Sequence, residues 1–456
     1  MEAEHLTFRA LLVILVACMG SLQYGYHLAE LNAPGSVMPC TSGSSVNCLQ
    51  MSPQGYGFVT SVFNAGGLIG ALIAARISGK FGRRHASFLA SLMFLVGSSV
   101  MAAAQSVAVL ALGRILAGLG AGIAIVNTPI YIAEIAPVAH KGILGTMNQV
   151  FINIGILLAQ VLGVFWATTV LWRRILWTGA AVATLNAAFV LLLAIESPRW
   201  FVLRGRIADA KKAFNAIHSG NARNTEFRDS LLEAQPTVPS SSATSLVSLK
   251  TFVTASIFRK PLIAVAGLNA VQQLSGINVI VFYGVTVLAT IIPQNSAVIN
   301  CVISTVNLLV TVIASPSVEK YGRKPLLLCS IAGMGICSAT LGVAMINQRA
   351  IVSCVSSVLF VAFYAIGLGP IPFYLVSEIT PHDAIGAAQS VGMSFNWTIT
   401  FFVAYLFPLL EDLLSGYVFF VFTALGLISL IFVSLFIPET KGKKSPEEVW
   451  GTTLAD

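Results

Sequence analysis

Apolar stretches of span length alternate with short polar connections along the whole chain. Twelve of them fall near residues 10–31, 55–75, 86–105, 108–128, 144–166, 175–195, 259–283, 297–315, 326–346, 351–375, 386–408 and 416–437. A stretch of about twenty apolar residues crosses a bilayer as a helix, and at that depth a helix is the way a single segment satisfies its own backbone. The pattern therefore predicts an all-α polytopic membrane protein with 12 transmembrane helices.

The longest polar stretch, roughly 197–258, separates six spans from six, and contains a serine-rich part at Ser240, Ser241, Ser242, Ser245 and Ser248. Around Asp209-Ala-Lys-Lys-Ala-Phe it has the pattern of short amphipathic surface helices. The expected organisation is a six-helix bundle over 1–196, a cytoplasmic linker over 197–258, a second six-helix bundle over 259–442 and a short tail over 443–456. Repetition supports it. Gly82-Arg83-Arg84 recurs as Gly322-Arg323-Lys324, Glu134 before Pro137 as Glu378 before Pro381, and Glu196-Ser197-Pro198-Arg199 as Glu439-Thr440-Lys441-Gly442, at spacings of 240, 244 and 243 residues. Three unrelated motifs at nearly one spacing imply a duplicated six-helix unit, which in transporters puts the solute path between the halves.

Composition agrees: 56% of the 456 residues are hydrophobic and 10% charged, against about 25% charged in soluble domains. The formal charge of +8 is spread over short connections and forms no contiguous run, so it argues for the positive-inside rule and against nucleic acid. With both termini cytoplasmic, Arg76 to Arg84, the 199–260 segment, Lys320 to Lys324 and Lys441 to Lys444 share one side; Arg173, Arg174 and Arg349 lie on the other. Glu2 and Glu4 ahead of the first span, with no small-residue cleavage site, argue against a removed signal peptide. Cys40 and Cys48 share the first outward loop, either as a disulfide or as two thiols, and the other five cysteines lie inside spans.

The chain resembles the sugar porters of the major facilitator superfamily, which include the facilitative glucose transporters. The resemblance is carried by Gly20-Ser-Leu-Gln-Tyr-Gly-Tyr26, Phe81-Gly-Arg-Arg84, Glu196-Ser-Pro-Arg199, Gln272-Gln-Leu-Ser-Gly-Ile-Asn278, Gly369-Pro-Ile-Pro372 and Pro438-Glu-Thr-Lys-Gly442. It implies the major facilitator fold and alternating-access transport of a sugar, a hexose by preference.

Gln149, Asn153, Ile156 and Gln160 share one face of the fifth span. Buried amides either glue helices together or meet a solute; for Gln149, at a family sugar-contact position, solute contact is expected. In the seventh span a glycine at 276 permits the helix to unwind and present Asn278. An amide both donates and accepts, which suits a hydroxyl with no buried charge to desolvate. The resemblance implies that Gln272, Gln273, Asn278, Asn307 and Asn396 surround the sugar, with Phe282, Tyr283 and Trp397 as aromatic walls or gates. Two departures bear on which sugar. Ala365 stands where glucose transporters have a carboxylate, and Phe373 where they have a tryptophan.

Proton-driven members have an aspartate after the Gly-Tyr pair of the first span and facilitators an asparagine; this chain has His27. Gln23, His27 and Glu30 lie on one helical face, and an ionisable residue at membrane depth is a functional candidate. His27 and Glu30 are therefore coupling candidates; on the alternative reading His27 is a neutral hydrogen-bonding side chain and Glu30 reaches the outer water.

The resemblance further implies that Arg83, Arg84, Glu134, Lys141, Arg199, Glu319, Arg323, Glu378 and Glu439 form ion pairs that latch the inner side. Ile385, where the family has arginine, and Gly79, where it often has an acidic or amide residue, predict a weaker latch and a bias toward the inward-open state. Gly113, Gly118, Gly120 and Gly122 permit close packing, while Pro129, Pro370 and Pro372 loosen the fourth and tenth spans.

No nucleophile elbow, paired-histidine metal motif or phosphate loop is present, so neither an enzyme nor a cofactor is expected. The expected partners are a small-molecule sugar and membrane lipids, with the chain working as a monomer. A plasma membrane is the first expectation and an organelle membrane the second. A proton-coupled sugar or polyol symporter and a non-transporting sugar sensor remain the alternatives.

Overall fold

A computed structural model describes residues 6–40, 48–137, 140–217, 247–289, 295–381, 383–443 and 445–451; the side chains of Pro53, Lys141 and Gly142 are outside it, as is most of the serine-rich part of the linker. Among the described residues eleven segments are long and apolar enough to cross a membrane, and the last of them, Ile385–Phe436, contains two helices separated by a turn, Ile385–Leu414 and Val418–Phe436. This gives twelve crossings, as the hydropathy pattern predicts.

The first six are α1 (Phe8–Ala29), α2 (Pro53–Phe81), α3 (Arg83–Ala103), α4 (Val107–Ile135), α5 (Lys141–Trp166) and α6 (Arg173–Leu193), followed by short helices α7 (Pro198–Leu203), α8 (Ile207–Ile217) and α9 (Leu249–Thr254). The second six begin with α10 (Arg259–Leu274) and α11 (Ile277–Ala289), two halves of one crossing. They continue with α12 (Ser296–Ala314), the short α13 (Ser317–Tyr321), α14 (Arg323–Ile346), the broken pair α15 (Ala350–Ile366) and α16 (Ile371–Ile379), α17 (Ile385–Leu414) and α18 (Val418–Phe436), with α19 (Pro446–Trp450) after them.

Both breaks have local causes. Gly276, at φ +85°, turns the chain between α10 and α11. Pro370 and Pro372, each lacking an N–H, stand where α16 starts and cannot continue the ladder of α15. Pro129, by contrast, is carried inside a continuous α4.

The same pairings recur in the two sets. The packings α1–α5, α2–α4, α3–α4 and α3–α6 are matched by α10–α17, α12–α15, α14–α15 and α14–α18. The most extensive packing between the sets is α2 with α17 and α5 with α12. Within the first set α2 and α4 meet backbone to backbone: a Cβ on Gly118 would strike the carbonyl of Phe63, and one on Gly122 the carbonyl of Gly67. Outward faces carry exposed aliphatics such as Leu192, Ile351 and Leu435, while Asn, Gln and Ser lie buried between the helices, the inversion expected in lipid.

At one end the repeated motifs build two matching corners. Gly82 and Gly322, at φ +97° and +92°, let the chain leave one helix and enter the next with its first N–H groups aimed at a carboxylate. Glu196 accepts from the backbone of Arg83 (2.7 Å), Arg84 (3.1 Å) and Ser197 (2.9 Å). Glu439 accepts from Arg323 (3.0 Å), Lys324 (3.0 Å), Thr440 (2.9 Å) and Lys441 (2.8 Å). A carboxylate at a helix N-terminus satisfies orphan donors and meets the positive end of the dipole. At the other end Cys40 and Cys48 are disulfide-bonded.

Candidate functional site

The carboxamides singled out in the sequence gather into two clusters deep in the molecule. On α10 and α11, Gln272 donates to the carbonyls of Leu368 (2.8 Å) and Gly369 (3.1 Å), so one broken crossing is tied to the break in the other. Gln273 donates to Gln272 (3.2 Å), Asn278 donates to Gln273, and Asn396 of α17 donates to Gln272 (2.7 Å). The second cluster bridges α5 and α12: Gln149 donates to Asn153 (2.9 Å), and Asn153 pairs with Asn307. All are buried. Gln160, further along α5, is buried with no partner for its Nε2 among the described residues.

The aromatic residues singled out with them are buried too. Trp397 meets the edges of Tyr24 (5.3 Å) and Phe63 (5.6 Å), and Phe373 is buried in the same core. Phe282 and Tyr283 on α11 are buried; the Tyr283 ring stacks on Phe407 (5.6 Å) and its hydroxyl donates to the Ala404 carbonyl (2.7 Å). Beside them Asn32, just past α1, donates to the carbonyl of Val281 (2.7 Å) and accepts from the N–H of Val285 (3.3 Å). Asn32 thus bridges the two sets of helices at the disulfide end.

The opposite end opens into a cavity of about 600 Å³ whose lining draws on both sets, among them Arg83, Glu134, Arg199, Arg323, Glu378 and Ile385. The charged motifs pair within their own set. Arg83 grips Glu134 with two bonds (2.8 and 2.7 Å), and Arg323 grips Glu378 likewise (3.1 and 2.7 Å). Arg84 caps carbonyls at the end of α6, Val190 (3.2 Å) and Leu191 (2.6 Å). Among the described residues neither Arg199 nor Glu319 has an ion-pair partner; the Lys141 side chain lies outside them.

The two corner carboxylates differ. Burial pushes the Glu196 carboxyl above its usual range despite its backbone donors. Burial acts the same way on Glu439, but there four backbone N–H groups prevail and hold the carboxyl below its usual range.

His27 and Glu30 sit in a closed polar cluster whose third member, Arg114, the sequence reading passed over. Glu30 lies 3.0 Å from His27 Nδ1 and 3.0 Å from Arg114 Nη1, all three fully buried. Arg114 also donates to the His27 carbonyl (2.7 Å) and stands 4.3 Å over the Phe63 ring; His27 stacks on Phe94 (5.0 Å). The expectation that Glu30 reaches outer water is therefore corrected: a buried cation on α4 draws it inward. A lone arginine inside an apolar span was the signal that could have revealed the cluster.

The chain matches the sugar (and other) transporter family over residues 13–449. It belongs to that family. A probable metabolite transport protein of Saccharomyces cerevisiae is 37% identical, over 98% of this chain and 96% of its own. The yeast vacuolar protein sorting-associated protein 73 is 32% identical over 96% of each. The human facilitated glucose transporter member 3 is 30% identical over 97% of this chain and 92% of its own. Among solved structures, a major facilitator proton:xylose symporter bound to 6-bromo-6-deoxy-D-glucose superposes with a TM-score of 0.82 at 25% identity, covering 98% of this chain and 99% of that one. The same Escherichia coli transporter in a partially occluded inward-open conformation gives 0.79 at 25% identity, over 96% of this chain and 100% of that one. This sugar transporter is thus a multi-pass membrane protein of the major facilitator fold that moves sugar across a membrane.

Proposed function

We propose that this transporter carries a hexose down its gradient by alternating access, as a monomer, without cofactor or catalysis, and with its arginine-rich end and both termini in the cytoplasm. The observation that carries the reading is the chemistry of the buried carboxamides: Gln149, Gln272, Gln273, Asn278, Asn307 and Asn396 offer donors and acceptors and no charge. Such a lining suits a polyhydroxylated neutral solute. Phe282, Tyr283, Phe373 and Trp397 wall it. With Ala365 and Phe373 in place of a carboxylate and a tryptophan, D-glucose is not assumed to be the preferred hexose.

The Arg83–Glu134 and Arg323–Glu378 pairs, with Arg84, Lys141, Arg199, Glu319 and Glu439 around them, govern closure of the cytoplasmic side. The plasma membrane is the proposed location, and the likeness to a vacuolar sorting protein makes an organelle membrane the alternative.

A second reading, proton symport, is favoured by one observation, the contact of His27 with Glu30 beside Arg114. Uptake of labelled hexoses into liposomes with and without an inward proton gradient separates the two. Uptake that equilibrates regardless of the gradient and is lost in Gln272→Ala establishes the facilitator; accumulation abolished by His27→Ala establishes the symporter.

A further inference from the structure

Asn153 stands one helical turn beyond Gln149 on α5 and reaches across the seam to α12. Its Nδ2 lies 3.2 Å from Asn307 Oδ1, Asn307 Nδ2 lies 3.3 Å from Asn153 Oδ1, and Asn153 also donates to Thr311 Oγ1 (2.8 Å). The Thr311 hydroxyl spends its own proton on the Asn307 carbonyl (2.7 Å), so toward Asn153 it acts as an acceptor. Asn153, Asn307 and Thr311 are buried. Here two amides on helices from different sets exchange a donor and an acceptor each, across a seam between the sets.

Parting them strands the Asn307 amide and takes one N–H and one oxygen lone pair from Asn153, which keeps Thr311 and Gln149; whatever parts them has to fill those places, because a buried amide left unmatched is costly. Two neighbouring hydroxyls do so, each donating once and accepting once. An apolar face, or a solute with a single hydroxyl there, does not.

We propose that Asn153 is a specificity-determining residue: the solute displaces its pairing with Asn307, and the pair selects a solute that presents two adjacent free hydroxyls. The proposal rests on the hexose reading above and adds to it which chemical feature of the sugar is read, and by what. Sites built to hydrogen-bond a hydroxyl reject analogues lacking it far more strongly than apolar pockets reject a missing methylene, so the signature is a sharp penalty at two neighbouring positions.

The test uses the full chain in liposomes. Entry of labelled D-glucose, D-galactose, D-mannose, D-fructose and D-xylose is measured first, and then competition by the monodeoxy and mono-O-methyl analogues of the sugar that enters fastest. In the wild type, removing or methylating either of two adjacent hydroxyls is expected to weaken competition about tenfold or more. In Asn153→Val that penalty is expected to fall to about twofold at those two positions and to stay unchanged elsewhere. Asn307→Ala reads the same pair from the other helix and serves if Asn153→Val does not fold. A purely structural role would lower the thermal midpoint and flux of both variants while leaving the penalties as in the wild type, and that result overturns the proposal. Absence of entry of every sugar into wild-type liposomes overturns the hexose reading itself, and the proposal with it.

Discussion

Asn32 straddles a single rung of α11, its Nδ2 giving to the Val281 carbonyl at 2.7 Å while its Oδ1 takes from the N–H of Val285, four residues on. One short side chain from the first set of helices thereby holds the main chain of the second at the disulfide end. Each such bond contributes about 1 kcal/mol net. Asn32→Ala is expected to loosen that end, and faster hydrogen exchange over 277–289 in the substituted transporter than in the wild type is the measurement that checks it.

Glu30 is the counter-charge of Arg114, and removing one partner of a buried pair strands the other. Glu30→Ala is expected to cost roughly 3–5 kcal/mol of stability, whereas the double variant Glu30→Gln with Arg114→Leu recovers part of it. Chemical or thermal unfolding in detergent across the three proteins reads the difference. A Glu30→Ala protein as stable as the wild type would contradict the pairing.

Acid separates the two corners. Glu439, held low by its backbone donors, gives stability that is present above its unfolded-state value and is lost as pH falls through its lowered folded value. Glu196, held high by burial, has the opposite sign: its ionised form costs stability at neutral pH, and the cost is relieved as pH falls through its raised value. Glu439→Gln is therefore expected to lower the thermal midpoint most at neutral pH and least in acid, flattening the acid side of the curve. Glu196→Gln should be the milder change at neutral pH, and thermal midpoints from neutral to acid pH check both.

Gly276 adopts φ +85°, and a Cβ there would press on the Phe422 ring. Gly276→Ala is expected to cost about 1–3 kcal/mol from backbone strain alone and to misplace Gln273 and Asn278 on either side of the turn. Sugar affinity should fall more than protein level. Isotope-exchange uptake against expression, compared with Gly335→Ala, where a Cβ meets open space, isolates the effect.

The spans, the break at Gly276 and the duplicated corners were legible because each is written in local signals: run length, a glycine before an amide, a motif at constant spacing. What the corners do was less legible. Nothing in Glu196-Ser-Pro-Arg or Gly-Arg-Arg announces that the carboxylate of one caps the helix opened by the other, more than a hundred residues away. Asn153 was visible as one of three amides on a helical face, yet its partners on α12 come from the packing of the two sets. Arg114 was missed because basic residues were weighed in the connections and not inside the spans. Asn32 carries no pattern, lying in the polar turn after α1.

The glycine contact between α2 and α4 has a mechanical consequence. With Gly118 and Gly122 seated against the carbonyls of Phe63 and Gly67, the two helices touch main chain to main chain there, and Arg114 over the Phe63 ring and Ser78 bonded to Asn127 tie them on either side. Neither can slide past the other without main-chain collision, so they travel as a single beam. Movement at the α2–α17 seam is then handed directly to α4, and through Arg114 to Glu30 and the end of α1 where Asn32 begins its reach.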